Sequence, residues 1–204
     1  MKQNKPTLIL LEGHIGSGKS TTSTLIREKF PTYTLIRPTG LPKETDGQAK
    51  NYIYHSNILM SVEDNGFLQM NYVLDRTFIS NLIYARLGLK DYTFEAESET
   101  LSAALRRISY RYNVYLINLY CSDDDELTER LGRRNKFQYV EHTLNQAKNQ
   151  RKAYHEYFEG IKDVSYMTVK ELDTYGKAVD EILEEIKVLV GGKWNAENYQ
   201  LRTF

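Results

Sequence analysis

Eight residues near the start of the chain constrain its fold more than any others: Gly13-His14-Ile15-Gly16-Ser17-Gly18-Lys19-Ser20. They fit the pattern G-x-x-x-x-G-K-[ST] without a mismatch, the signature of a loop whose backbone N–H groups cradle phosphate oxygens. That pattern has meaning only between a strand and a helix. Thr7-Leu8-Ile9-Leu10-Leu11 ahead of it is a continuous apolar run, as expected of a strand buried on both faces, and Thr21 to Phe30 behind it reads as a helix.

The same alternation continues to the end of the chain. Tyr33-Thr34-Leu35-Ile36-Arg37 reads as a second strand. Arg37-Pro38-Thr39-Gly40-Leu41-Pro42 reads as a loop, because its two prolines forbid regular structure. Asn51 to Glu63 reads as a helix stopped at Asn65-Gly66. Asn71-Tyr72-Val73-Leu74 is a third strand, ending at Asp75-Arg76. Phe78 to Leu87 and Glu95 to Arg107 are helical, and Val114 to Tyr120 is a fourth strand. Asp123-Asp124-Asp125 is expected to cap a helix running to about Leu131. A long polar helix is expected from about Tyr139 to Phe158, and a short fifth strand over Val164 to Val169. The last helix, Tyr175 to Val190, sets Val179, Ile182, Leu183, Ile186 and Leu189 on one face. Strands separated by helices predict an α/β protein, a five-stranded parallel sheet with helices on both faces. Residues 1–204 read as one domain. Its tail, 191–204, carries Trp194, Tyr199 and Phe204 without periodicity, for packing back onto the domain or for a subunit contact.

Composition narrows the partners. The 27 basic and 27 acidic residues cancel, which argues against a chain-wide electrostatic footprint for nucleic acid. No run is long and apolar enough to cross a membrane. Met1 to Pro6 has no apolar signal region, and a single cysteine, Cys121, excludes an internal disulfide. A cytoplasmic, reducing location is expected, with Cys121 a buried thiol at the end of its strand. Most of the 16 tyrosines fall at apolar positions and are expected in the core.

The chemistry-bearing residues gather at one end of such a sheet, because ligands of these folds sit beyond the carboxyl ends of the strands. Gly13, Gly16 and Gly18 let the backbone turn inward. Ser17 and Thr21 complete the donor-phosphate contacts, Lys19 supplies a point charge for the β- and γ-phosphates, and Ser20 is a Mg²⁺ ligand. Asp75 can hold Mg²⁺ through water or orient an attacking oxygen. Arg76 can neutralise an acceptor phosphate and the charge developing during transfer. Arg37 belongs to the same crevice.

On these residues the chain resembles the thymidylate kinases, within the wider group of nucleoside and nucleotide kinases with a phosphate loop. Glu12-Gly13-His14-Ile15-Gly16-Ser17-Gly18-Lys19-Ser20-Thr21 matches their opening strand and loop. Arg37-Pro38-Thr39-Gly40 loosely matches their Arg-Pro loop. Asp75-Arg76, Ser80 and Tyr84 reproduce their third-strand segment, and Arg130-Leu131-Gly132-Arg133-Arg134 is similar to their lid approach. The resemblance implies a three-layer P-loop kinase fold with a helical lid at about 132–142, ATP as donor with Mg²⁺, and a homodimer without fixing its surface. It implies that Asp75 supports metal and acceptor phosphate, that Arg76 clamps that phosphate, that Tyr84 packs near the sugar, and that Arg133 or Arg134 closes over the donor. Substrate contacts fall on Glu12, Arg37, His55, Arg76 and Tyr84. Two departures concern the acceptor. Ile15 stands where these enzymes place an acidic residue, as in deoxynucleoside kinases, and His55 falls where they place a base-contacting Arg; His55 is read either as that contact or as a polar helix residue.

The expected reaction is in-line transfer of the γ-phosphoryl of ATP to a deoxynucleoside monophosphate, dTMP or a related pyrimidine. The acceptor oxygen is already ionised near neutral pH, so alignment and charge stabilisation carry the rate. A free nucleoside 5′-hydroxyl and a hydroxyl of modified DNA are the alternative acceptors, and a non-catalytic nucleotide-binding module is the alternative to an enzyme.

Overall fold

In the computed structural model, residues 5–38, 46–138 and 143–191 are described, of 134–138 the backbone alone. The opening apolar run forms β1 (Thr7–Glu12), and the glycine loop leads into α1 (Lys19–Lys29). β2 (Tyr33–Ile36), α2 (Gly47–Asp64), β3 (Asn71–Asp75), α3 (Phe78–Arg86) and α4 (Glu95–Ile108) follow. β4 (Asn113–Tyr120), α5 (Asp124–Gln138), α6 (Leu144–Ile161), β5 (Thr168–Asp173) and α7 (Val179–Leu189) complete the order. The five strands form one parallel sheet in the order β2-β3-β1-β4-β5.

β1 lies in the middle, and its residues divide between two cores, which is why its sequence shows no alternation. Leu8 and Leu10 pack with Tyr72, Leu74, Leu116 and helices α2, α3, α4 and α6. Ile9 and Leu11 pack with Val73, Ile117, Leu119 and helices α1 and α7. A third, smaller cluster of Ile15, Cys121, Leu127, Leu131 and Ala147 seats the glycine loop against α5 and α6. The connections leaving β1 and β3, which are neighbours in the sheet, run to opposite faces. This reversal opens a crevice at their carboxyl ends, where such sheets bind ligands.

Three expected elements are corrected. The helix after Cys121 does not stop near Leu131: Asp123 caps it by accepting from the Glu126 N–H at 2.8 Å, and it runs to Gln138. Arg133 and Arg134 therefore belong to α5, and 139–142 of the expected helical lid lie outside the described residues. The next helix starts not at Tyr139 but after Thr143, which forms a capping box with Gln146. The fifth strand is Thr168–Asp173 rather than 164–169. It is an edge strand in which Val169 and Leu172 pack inward between polar residues, so the apolar-run criterion placed it too early. Residues 39–45, most of the expected Arg37–Pro42 loop included, and 192–204 of the tail lie outside the described residues. Cys121 is fully buried, as expected; of the described tyrosines only Tyr33, Tyr72, Tyr92, Tyr112 and Tyr154 are buried, fewer than expected, while Tyr54, Tyr110 and Tyr175 are exposed.

Candidate active site

The glycine loop is shaped by close approach. Gly13 has φ 138° and a Cβ there would lie 2.0 Å from the Leu119 carbonyl oxygen, so no side chain fits. Gly16 (φ 79°) and Gly18 (φ 88°) also take the left-handed region that glycine alone enters freely. Lys19 begins α1 and is buried; its Nζ donates to the His14 carbonyl at 2.6 Å and to Ser17 Oγ at 3.1 Å, curled over its own loop. The neighbouring Ser20 is exposed at the helix start.

Two buried side chains brace this loop, and neither role was legible from the motif. His14 Nε2 accepts from the Cys121 N–H at 3.0 Å, which leaves the proton on Nδ1, 2.6 Å from the Ile15 carbonyl oxygen. Gln150 of α6 accepts from the Ile15 N–H at 3.1 Å. Burial first, then the charge of Lys19, pushes the His14 pKa down to about 3. Burial and Lys90 push His55 to about 4.

These two imidazoles predict how stability depends on pH. Below the unfolded value of 6.5 the unfolded chain takes up both protons, whereas the native chain does not until about 4 and 3. Their contribution is therefore full above pH 6.5 and is lost as pH falls toward 4, at up to about 1.4 kcal/mol per pH unit for each histidine. Urea unfolding at pH 7 and pH 5 measures the loss, and His55→Gln should flatten it. An unchanged slope in that variant would mean that His55 titrates normally in the fold.

Asp75, the last residue of β3, is buried. Its Oδ2 accepts from Arg37 Nε at 2.8 Å and from Ser23 Oγ at 3.1 Å. Arg37 also donates to the Ser20 carbonyl, Ser23 Oγ and Thr24 Oγ1, tying the end of β2 to α1. Asp75 Oδ1 is buried with no hydrogen-bond donor among the described residues. An unpartnered carboxylate oxygen, on a side chain tied through Arg37 and Ser23 to the Ser20 carbonyl, suits a hard cation completed by water and phosphate oxygens. Among the described residues no three His, Cys, Asp or Glu side chains converge, so a caged transition metal does not fit.

Arg76 is held in the left-handed region at φ 78°, with its N–H donating to the Leu11 carbonyl at 2.9 Å. Its Nη1 donates to Ser80 Oγ at 3.1 Å and reaches Tyr154 Oη at 3.5 Å, and its guanidinium lies 5.4 Å from the centre of the Tyr84 ring. Burial opposes its charge, but Tyr84, Tyr154, Glu12 and Asp75 together raise its pKa above the ordinary arginine value. Glu12 is fully buried. Oε1 accepts from the Thr77 N–H and Oγ1, and Oε2 from Ser80 Oγ and Tyr154 Oη. Its pKa is raised by burial, against the pull of Ser80, Thr77 and Arg76. Both of its oxygens are thus committed within the protein.

Gly16 to Thr22, Arg76, Arg130, Arg133 and Lys177 line one cleft of about 590 Å³. Arg133 is exposed there and paired with Glu129 one turn earlier, while the Arg134 side chain lies outside the described residues. Arg130 was quoted in the lid motif without a role; it donates to the Gly16 carbonyl at 3.3 Å and to Thr174 Oγ1 and O, each at 2.8 Å. On α3, directly after Ser80, begins a second buried polar group. Asn81 Nδ2 is 2.9 Å from His55 Nε2 and 3.3 Å from Asn51 Oδ1, and Asn51 donates to Tyr92 Oη at 2.6 Å. Asn51, Asn81 and Tyr154 were missed; the available signal was polar Thr77, Ser80 and Asn81 interrupting an otherwise apolar helix.

The chain matches no protein-family model and no curated protein sequence. It is similar to solved structures along almost its whole length. One is the YorR protein from Bacillus subtilis in complex with phosphorylated GDP: 22% identity, TM-score 0.66, with 90% of this chain and 95% of that one covered. A thymidylate kinase from Candida albicans aligns at 18% identity and TM-score 0.57, covering 91% of each chain. A deoxyadenosine kinase from M. mycoides aligns at 17% identity and TM-score 0.56, covering 91% of this chain and 100% of that one. Together with the sheet order and the glycine loop, these likenesses show that the chain has the three-layer α/β fold of the P-loop kinases.

Proposed function

We propose that the protein transfers the γ-phosphoryl group of ATP to a deoxynucleoside monophosphate, dTMP or a related pyrimidine nucleotide. One observation carries this reading: Arg76, a firmly cationic side chain in a strained backbone conformation, lines the same cleft as the Lys19 loop. Strain of about 1–3 kcal/mol at such a residue persists where the surroundings enforce it, and it is a mark of functional sites. The loop amides and Lys19 hold the donor phosphates. Arg76 faces them from β3 and aligns the acceptor phosphate for in-line attack, so no general base is required. Mg²⁺, held by Ser20 and Asp75 Oδ1, would supply neutralising charge on the β- and γ-phosphates. Glu12 is a positioning residue: its four donors shape the turn from which Arg76 projects. Arg37 positions Asp75 in the same way. Arg130 and Arg133 close the donor side of the cleft.

The polar group on α2 and α3 supports a choice of base. Both Nδ2 protons of Asn81 point to protein acceptors, His55 Nε2 and Asn51 Oδ1. What Asn81 has left to offer a ligand is an acceptor, its Oδ1. An acceptor suits the ring N–H of thymine, uracil or guanine, whereas cytosine has an acceptor at N3 and meets it only through its exocyclic amino group. His55 acts through Asn81 in this reading rather than on the base itself.

A second acceptor has one observation in its favour. Asp75 Oδ1 has no donor among the described residues, and a carboxylate in that state can take the proton of a nucleoside 5′-hydroxyl. The deciding experiment is ATP consumption with Mg²⁺ against dTMP, dUMP, dGMP, dCMP, their nucleosides, and DNA with modified thymine. The expected result is turnover of dTMP at least tenfold above dCMP, a discrimination of about 1.4 kcal/mol. Turnover restricted to nucleosides or DNA would overturn the acceptor assignment.

A further inference from the structure

The edge of the sheet farthest from the glycine loop carries a second cavity, of about 490 Å³. It lies where β1, β4 and β5 begin and α4 ends. Lys5 and Arg106 line it, and no Asp or Glu does among the described residues. Ser165 and Thr168 add neutral polar side chains, and Tyr110 and Tyr166 add aromatic ones. A cavity of this size is within the range of small-molecule sites, which run to about 300–1,000 Å³.

The positive charge there is not answered within the protein. Arg107, next to Arg106 on α4, pairs with Glu63, and Arg111 donates to the Glu63 carbonyl. Arg106 and Lys5 have no carboxylate partner among the described residues; Lys5 Nζ donates to the Ser109 carbonyl at 2.9 Å. The carboxyl end of α4 does not oppose an anion either, because its last carbonyls are taken. The Leu105 carbonyl accepts from the Ser109 N–H, that of Arg106 from the Ser109 hydroxyl, and that of Arg107 from the Tyr110 N–H. The Ile108 carbonyl accepts from the N–H groups of Arg111 and Tyr112. Two cations in a walled cavity free of carboxylates focus the field on an anion. A phosphate monoester, which carries nearly two negative charges above its second pKa of about 6, matches them in number. The Arg106 fork and the Lys5 point charge are the two kinds of donor that such a group takes. Tyr110, 74% exposed, and Tyr166, within electrostatic reach of Arg106, offer ring faces to a planar base.

We propose that this cavity is a second ligand site, for a phosphate monoester that carries a planar ring, by class a nucleoside monophosphate. Its phosphate lies between Lys5 and Arg106 and its ring against the tyrosines. The Lys19 loop and Asp75 stand at the opposite edge of the sheet, so a nucleotide held here is an effector and not a substrate. The site rests on no reading of the cleft that holds the glycine loop.

Amide NMR on the full chain, titrated in turn with dTMP, AMP, thymidine and inorganic phosphate, tests this by reading where each probe binds. With dTMP or AMP the signals of Ser109, Tyr110, Asn113, Ser165 and Met167 should shift together and saturate. Thymidine should leave them in place, and inorganic phosphate should bind there at least about tenfold more weakly than the nucleotides, since it brings no ring. Arg106→Gln and Lys5→Gln should each raise the Kd read at these signals by about tenfold or more, since each removes a charge-assisted bond to the phosphate. Both replace exposed side chains, and the remaining spectrum reports directly whether the fold is kept. Lys19→Ala should leave that Kd unchanged, whatever it does to signals of the glycine loop. The proposal is overturned if neither nucleotide shifts the five signals, or if thymidine shifts them as strongly. It is overturned equally if both charge-removing variants bind like wild type, or if Lys19→Ala abolishes the shifts. Inorganic phosphate that binds as tightly as dTMP would overturn the contact with a ring. Each outcome is read without reference to phosphoryl transfer.

Discussion

Lys19→Ala should lower kcat for ATP and the preferred acceptor by about 10³-fold or more while leaving the fold intact. Removing a single hydrogen-bond donor from a preorganised charge-stabilising site costs about 10²–10³ in rate, and here a full charge is lost with the donor. The side chain is already at the bottom of the cleft, and its present partners, the His14 carbonyl and Ser17 Oγ, are groups of the loop itself. Those contacts can be exchanged for phosphate oxygens without moving α1. The loop's shape rests elsewhere: on Gly13 against Leu119, on His14 against Cys121, and on Gln150 against Ile15. The urea midpoint of the variant should therefore shift little. Steady-state turnover beside urea unfolding checks both halves. A variant that keeps turnover within tenfold of wild type would remove this cleft as the donor site. One that unfolds would show instead that Lys19 supports the loop.

What the sequence disclosed follows from how locally each feature is determined. β1 and its loop were legible because a strand buried on both faces and a glycine turn each write themselves into consecutive residues. Asp75 and Arg76 were legible because they end a buried strand. The fifth strand was misplaced because an edge strand buries only part of its surface, and Thr168–Asp173 carries just two apolar residues, Val169 and Leu172, among polar ones. Helix α5 was cut short because Gly132, Arg133 and Arg134 were assigned to the lid, yet Asp123 caps the start and nothing at Gly132 stops the helix. The supporting residues are a different matter. His14 sits inside a motif that leaves its position free, and its partner is 107 residues away. Tyr154 lies 142 residues from Glu12, in a helix that reads simply as long and polar. Contacts at that separation leave no mark of periodicity. The glycine loop's ligand shape was written locally, whereas the shell that holds it was not.

Arg76→Ala should reduce kcat/KM for a monophosphate acceptor by about 10³-fold and change the KM for ATP by less than about threefold, since it removes a charge-assisted fork from the acceptor side alone. Arg76→Lys keeps the charge but loses the planar fork, and it should recover only part of the loss. Stability bears on the interpretation. Glu12 stays bonded to Thr77, Ser80 and Tyr154 when Arg76 is gone, so no acceptor is stranded by the substitution. The backbone at φ 78° is as unfavourable for alanine as for arginine, so strain is not relieved either. Without the guanidinium, one of the influences that lower the Glu12 pKa disappears, and Glu12 should protonate at a higher pH than in the wild type. An intact fold with an acceptor-specific defect is thus the expected combination. The nucleoside is the control that separates the two acceptors, because it brings no phosphate for Arg76 to hold. If Arg76→Ala lowers turnover of nucleoside and monophosphate equally, the residue stabilises the transferring group rather than clamping an acceptor phosphate. In that case the buried carboxylate Asp75, with its unpartnered Oδ1, becomes the residue on which acceptor chemistry turns.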